Sequence, residues 1–341
     1  MPPRRPTMQD VAKAAGVSSA TVSRVFSGQK GAMSAETADR VREAADRLGY
    51  VVNSVAASLR AQQTLSVGLI VADIANPFFS RLASGVEATL SAAGFGVILG
   101  NSNNSVADET RLLRLMAQKQ VDAVILASVA SDGAHLAPLL AHGKPLILVD
   151  SELPGADLDT VVIDNQAAAA HAVGHLLDLG HRRIAIVSGP MTASFDFERL
   201  AGFRDAFAQR GLMPPEDLIL KGDSTYEGGR AAVETLLRGA EPPSAIFASN
   251  NMMTIGTLSA LHEVGLRIPQ DVSVVGFDDL EWYAIFNPRI TAVAQPAFAI
   301  GRTAARRLLE RLKLDDPQPA RRFVLSTDLI VRDSTVPLRA P

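Results

Sequence analysis

From Leu65 to beyond residue 270 the chain alternates short apolar runs with helical segments, and no other feature of its 341 residues limits the fold as strongly. LSVGLIV gives way to a helical stretch from Pro77 to Ala93, then come GVILG, a further helix and VDAVILA, and after them PLILVD, TVVI, RRIAIVSG, PSAIFAS and DVSVVGF. Strands separated by helices pair in parallel, with the helices covering the sheet faces. The runs are too many for one Rossmann-sized sheet, so two similar doubly wound parallel-sheet subdomains are expected. Open parallel sheets bind ligands beyond the carboxyl ends of their strands, and two of them facing each other enclose a cleft. The polar residues that follow the strands are therefore candidates: Asp73 and Asn76, Asp150, Asn250 and Asn251, Asp278 and Asp279. Carboxylates and amides suit a polyhydroxylated ligand, and Phe78, Phe79, Trp282 or Phe286 could supply a face for a sugar ring. Each polar residue taken alone reads equally well as a helix cap or a turn residue.

The first sixty residues follow a different pattern. Thr7 precedes an apolar set with helical spacing, Met8, Val11, Ala12 and Ala15, and Asp10 stands where a carboxylate reaches back to the cap amide. Gly16 ends that helix in a tight turn filled by Val17, and Ser18 can cap a second helix, Ser19 to Phe26, with Val22 and Val25 on its buried face. A third, Ala35 to Leu48, is capped by Ser34, carries Val41, Ala44, Ala45 and Leu48 at helical spacing, and stops at Gly49. The spacing is that of a helix-turn-helix, whose second helix enters the major groove; a small helical bundle with no DNA role is the competing reading.

Charge divides at the same place. Up to Gln62 the chain holds nine Lys or Arg and five Asp or Glu, whereas the remainder holds 24 basic and 31 acidic residues. A basic head on an acidic body is the footprint expected when only the small module meets phosphates. With no cysteine, disulfides, thiolate nucleophiles and cysteine-ligated metals are excluded. No run of about 18 apolar residues exists and no apolar stretch follows the arginines of MPPRRPTMQD, so a cytoplasmic protein without membrane association is expected.

TMQDVAKAAGVSSATVSRVFSG followed by SAETADRVREAADRLGY resembles the DNA-binding head of the LacI/GalR family of bacterial transcription regulators, and VDAVIL, LGHRRIAIVSGP, RLAGF, SNNMMTIG, VVGFDD and PRITAVAQP extend the resemblance over the whole chain. The resemblance implies an N-terminal all-α helix-turn-helix domain, about residues 1–50, and a hinge, about 51–63. It also implies an α/β periplasmic-binding-protein-like effector domain, about 64–341. Within that domain the N-subdomain would comprise about 64–163 and 293–324 and the C-subdomain about 164–292 and 325–341, with three crossings acting as hinges. By position, base reading falls on Ser19, Ala20 and Arg24, with Thr7, Ser18, Thr21 and Ser23 placed for phosphates. Arg24 can grip guanine O6 and N7 bidentately, or serve as a phosphate contact, while Ala20 offers only apolar contact.

In the hinge, Asn53 and Leu59 are the expected DNA contacts, Leu59 as a minor-groove wedge. Val52 and Ala57 replace the proline and arginine usual there, which weakens hinge ordering. The family's effector contacts fall on Asp73, Phe78, Asp150, Arg199, Asn250 and Asp278, with Ser224 where an aromatic is common, Asn251 where aspartate is usual and Ser151 where arginine is common. Arg199 would use its planar fork on effector hydroxyls or carboxylates.

A homodimer on pseudo-palindromic double-stranded operator DNA, released or engaged by a small sugar-like effector, is therefore expected, with no cofactor, no metal and no catalytic activity. The rival from another class is a sugar-binding protein of the periplasmic type without a DNA role, which would account for the body but not for the head. An enzyme reading finds little support: His171 and His175 are spaced i, i+4 but lie in a core-packing pattern, and the glycine pair of GFGVILG leads into a strand where a dinucleotide fingerprint would open a helix.

Overall fold

A computed structural model describes residues 6–26, 34–50, 63–141, 143–239, 241–313 and 318–338. The chain divides into two compact units, 1–64 and 65–341. The expected hinge contacts Asn53 and Leu59 lie outside the described residues, as do Val52 and Ala57.

In the first unit, α1 (Met8–Ala15), α2 (Ser19–Phe26) and α3 (Ala35–Leu48) enclose a core of Val11, Ala12, Ala15, Val22, Val41, Ala44 and Ala45. The capping box at the start of α1 is complete, since the Thr7 amide donates to Asp10 Oδ2 at 2.7 Å and the Asp10 amide to Thr7 Oγ1 at 3.4 Å. Gly16 and Gly49 close α1 and α3 at φ 66° and 64°, a region that glycine enters without a Cβ clash. Val25 is only half-buried, and Leu48, placed by its spacing on the apolar face of α3, is 38% exposed in the last turn of the helix, while Tyr50, just past the Gly49 cap, packs against the core instead.

The second unit contains two halves of like design. The first opens with β1 (Ser66–Val71), α4 (Pro77–Ala92), β2 (Gly96–Asn101), α5 (Val106–Gln118), β3 (Ala123–Leu126), the short α6 (Ala137–Leu140), β4 (Leu146–Val149) and β5 (Asp159–Ile163). The second runs through α7 (Asn165–Asp178), β6 (Ile184–Ser188), α8 (Ser194–Ala208), β7 (Ile219–Lys221), α9 (Tyr226–Leu237), β8 (Ala245–Ala248), α10 (Asn251–Glu263), β9 (Ser273–Phe277) and β10 (Thr291–Ala294). The chain then returns through α11 (Ala297–Arg311) to β11 (Arg322–Leu325) on the first sheet and ends with β12 (Asp328–Ile330) on the second. The strand orders are β11-β5-β4-β3-β1-β2 and β12-β10-β9-β8-β6-β7, and every pairing is parallel except that of β12 with β10.

These strands are rich in valine, isoleucine and leucine and are covered on both faces: β3, β4, β5, β6, β8 and β9 are buried along their whole length. α11 is tied back to the first half by close backbone packing on α4. A Cβ at Gly301 would lie 2.0 Å from the Leu82 carbonyl oxygen, and one at Gly85 would lie 2.1 Å from that of Phe298. No helix among the described residues is long and apolar enough to cross a membrane.

Candidate functional site

Two surfaces carry polar groups that the fold positions for recognition. On the first unit, α2 presents Ser19, Ala20 and Arg24 to solvent, while Thr21 and Ser23 are half-buried. Ser18, also exposed, works as the cap: the Thr21 amide donates to its Oγ at 3.1 Å, and the two hydroxyls lie 2.9 Å apart. Thr7 is half-buried and committed to the α1 capping box. The exposed positions follow from the helix period, since Val22 points its β-branched side chain into the core and fixes its neighbours' directions.

On the second unit, strand ends from both halves line one narrow cleft. It brings together all six positions proposed for the effector, Asp73, Phe78, Asp150, Arg199, Asn250 and Asp278. Each follows a strand or opens a helix, with one exception, Arg199, which projects from α8. The cleft also takes in Asn76, Phe79 and Ser224, and four residues that the sequence did not single out as contacts, Ala72, Asn104, Phe195 and Gln295. Asn104 and Gln295 follow β2 and β10, so the rule that located the others covers them too. Nothing local in the sequence marks Phe195.

The backbone is strained where it turns into the cleft. Asn104, Asp150, Ser224 and Asp278 have φ of 55°, 67°, 65° and 66°, a region that non-glycine residues seldom enter and that accumulates at functional sites. They form two matched pairs: Asn104 and Ser224 follow the second strand of each half, and Asp150 and Asp278 the fourth. Both aspartates are buried, and burial raises each carboxyl's pKa, against the pull of the nearby Arg199 guanidinium. Asp150 is pushed up to about 7, and Asp278, steadied by a 2.6 Å hydrogen bond from Gln295 Nε2, also lies above the usual carboxylate range.

Asp73 accepts the Ala75 amide at 2.9 Å. Asn250 caps α10, accepting the Met253 amide at 2.7 Å, and its amide nitrogen donates to the Ser224 carbonyl at 3.2 Å, so it holds the site's shape as well as lining it. Phe78 and Phe79 meet edge to face with centroids 5.1 Å apart. Arg199 is buried; its Nε donates to Asn165 Oδ1 at 2.9 Å, its Nη1 to the Ser249 carbonyl at 2.7 Å, and its guanidinium carbon lies 3.8 Å from the Phe277 ring centroid.

Contacts tie the two halves across the cleft. Asn251 Nδ2 donates to Asn76 Oδ1 at 2.7 Å, the Glu152 amide donates to Ser194 Oγ at 2.9 Å, and Arg81 pairs with Glu281. Asn251, a candidate contact in the sequence, is thus spent on holding the halves together. Asp279 is held bidentately by Arg332 at 2.7 and 2.8 Å and does not line the cleft. Trp282 and Phe286 do not line it either: after Leu280 the chain turns, and Trp282 packs edge to face on both Tyr283 and Phe286. Ser151 is buried and donates to the Ser128 carbonyl at 2.6 Å. Among the described residues no group of three or more His, Asp or Glu is arranged to hold a metal; His175 Nε2 lies 3.0 Å from Thr335 Oγ1, and Asp178 on the same helix pairs with Arg210.

Residues 7–53 match the family of bacterial regulatory proteins, lacI family, and residues 64–328 match periplasmic binding proteins and the sugar binding domain of the LacI family. The chain is 37% identical to catabolite control protein A of Priestia megaterium, over 89% of this chain and 91% of that one. Among solved structures it is similar to a transcriptional regulator CelR-cellobiose complex, with a TM-score of 0.73 and 35% identity over 97% of this chain and all of the other. It is also similar to the lac repressor dimer bound to operator and the anti-inducer ONPF, with a TM-score of 0.86 and 26% identity over 98% of this chain and all of the other. A three-helix unit with an exposed second helix, followed by two matched parallel sheets around a polar cleft and joined to both family matches along one chain, makes this protein a member of the LacI family of bacterial regulatory proteins.

Proposed function

We propose that this protein is a homodimeric repressor that binds pseudo-palindromic operator DNA through α2 and answers to a small sugar or sugar-derived effector held between the halves of its second unit. It works in the cytoplasm, where its DNA is, and catalyses no reaction. The observation that carries this reading is the joining, in one chain, of an exposed helix-turn-helix face to a cleft whose aspartates, amides and phenylalanines come from both halves. Arg24 reads a base edge or grips a phosphate; Ser19 and Ala20 lie beside it at the base edges; Thr7, Ser18, Thr21 and Ser23 set the helix against phosphates. Asn53 and Leu59 enter the minor groove from the hinge. Ligand affinity that differs between open and closed arrangements of the halves supplies the energy of the switch. The complex of the similar CelR with cellobiose supports a saccharide in the cleft, and the operator-bound lac repressor dimer supports the dimeric reading.

The test is selection of binding sites from random duplex DNA by the purified chain, repeated with Arg24→Ala and Arg199→Ala. The expected result is a palindromic consensus lost in the first variant and kept in the second, with the second blind to sugars that shift the parent's DNA affinity. An unselective parent at low salt refutes the proposal.

A further inference from the structure

We propose that Asn251 is a latch on the cleft: its side-chain nitrogen, bonded to Asn76 on the opposite half, holds the two halves of the second unit together before any ligand arrives, and its unbonded oxygen keeps that hold weak enough to release. The latch is independent of what the cleft binds; its regulatory meaning rests on reading the cleft as the effector site.

The chain passes between the two sheets after Ile163, after Ala294 and after Leu325, so the halves are joined by short connections and their approach is set by what touches across the cleft. Of the three cross-cleft contacts named above, the ion pair of Arg81 and Glu281 is exposed on both sides, where water and salt screen it. The bond of the Glu152 amide to Ser194 Oγ joins half-buried groups that water can reach. The bond from Asn251 Nδ2 to Asn76 Oδ1, at 2.7 Å, differs from both, since Asn251 is fully buried and Asn76 is 8% exposed.

Both ends of that bond are fixed by helix starts. Asn76 caps α4, and its Oδ1 already accepts the Phe78 amide at 2.9 Å, so the atom turned to Asn251 is an acceptor and only a donor can close on it. Asn251 is the first residue of α10, behind the cap Asn250. At that position the helix dipole favours a carboxylate, and aspartate is usual there in the family. An ionised aspartate has no proton to give, however, and would stand beside Asp278, whose carboxylate the Asn251 backbone amide supports. Helix chemistry alone thus selects the residue this chain lacks, and the bond across the cleft accounts for the amide it has.

The oxygen of the same side chain works the opposite way. Asn251 Oδ1 is buried and has no hydrogen-bond partner among the described residues, and a buried acceptor without a partner raises the free energy of the closed arrangement. Swinging the halves apart breaks the Nδ2 bond and lets water reach Oδ1. One bond is exchanged for another, so the closed and open arrangements stay close in free energy, and a ligand with a modest preference for either can move the balance.

Spin-label distances in the full chain without ligand test this. The sequence has no cysteine, so Arg114→Cys on α5 and Ala231→Cys on α9, both at exposed positions, put one label on each half, and an excess of unlabelled chain isolates the pair within one protomer. The expected result is a single short distance in the parent and, in Asn251→Asp, a second and longer population, with the ratio of long to short raised at least threefold. Asn76→Asp, which keeps both the cap and the acceptor, should stay closed like the parent, a result that general loosening of the cleft would not give. A parent that is already mostly open, an Asn251→Asp distribution like the parent's, or equal opening in Asn76→Asp overturns the latch. All three leave the effector reading intact, because no ligand is present. Should Asn251→Asp not fold, Asn76→Ser, which caps α4 but falls short of Asn251, should show the same second population, and its absence overturns the latch.

Discussion

Asp150→Asn should make the unliganded protein more stable at alkaline pH and change it little in acid. Asp150 is buried at the end of β4, and burial outweighs the attraction of Arg199, lifting its carboxyl from the ordinary 3.8 to about 7. The sign follows from proton counting. Below the unfolded value both states are protonated and the group costs nothing; between 3.8 and about 7 the unfolded chain gives up its proton first, so stability falls as pH rises; above about 7 the whole cost is present. At 1.36 kcal/mol per tenfold, the cost approaches a ceiling of roughly 4 kcal/mol at pH 8 and is about 1 kcal/mol at pH 4.5.

Asparagine keeps the shape, cannot ionise, and tolerates the φ of 67° found there nearly as well as any residue but glycine. Thermal melts without ligand should show the variant ahead by roughly 5–10 °C at pH 8 and by no more than about 3 °C at pH 4.5. Equal gains at the two pH values, or a loss at pH 8, would refute the reasoning. Effector binding should weaken in the same variant, because an ionisable acceptor has become a neutral amide.

Gly301→Val places a side chain where the Leu82 carbonyl lies 2.0 Å away, and should cost at least about 2 kcal/mol in urea unfolding of the second unit, with the first unit's transition unchanged. Thr7→Ala removes the reciprocal cap of α1 and should lower the stability of the three-helix unit by about 1 kcal/mol, read by helix circular dichroism during a melt. His181 is buried, with Nδ1 2.9 Å from Ser244 Oγ and Nε2 3.0 Å from the Val336 carbonyl, and burial holds its pKa below the ordinary 6.5. The folded protein thus resists charging it, and stability should be lost as pH falls from 6.5 through the folded value. His181→Asn should show a flatter acid limb than its parent, and parallel limbs would contradict this.

Much of the architecture was legible because its signals are local. Thr7, Ser18 and Ser34 announce helix starts, Gly16 and Gly49 announce helix ends, and the unbroken apolar runs of β3, β4, β6, β8 and β9 can satisfy their backbone only inside a covered sheet. The strand-end rule located Asp73, Asp150, Asn250 and Asp278 without reference to side-chain partners, which is also why it admitted Asn251 and Asp279, whose partners Asn76 and Arg332 are 175 and 53 positions away in sequence. Trp282 and Phe286 looked suited to stacking on a sugar by residue type, but a turn after Leu280 directs them to one another. Asn165 and Phe195 escaped notice because their significance lies in what they do to Arg199, a relation that no spacing encodes.

The route of the chain between the sheets has a consequence for synthesis. The second sheet's first five strands and their helices form one continuous stretch ending at Ala294, whereas the first sheet waits for α11, the helix that covers β3, β4 and β5, and for β11 at 322–325. On the ribosome the half translated later can thus mature before the half translated earlier, whose bare apolar strands must be sheltered in the meantime. Any premature stop between those points would release a polypeptide with an unclosed hydrophobic flank, a natural substrate for chaperones and quality-control proteases.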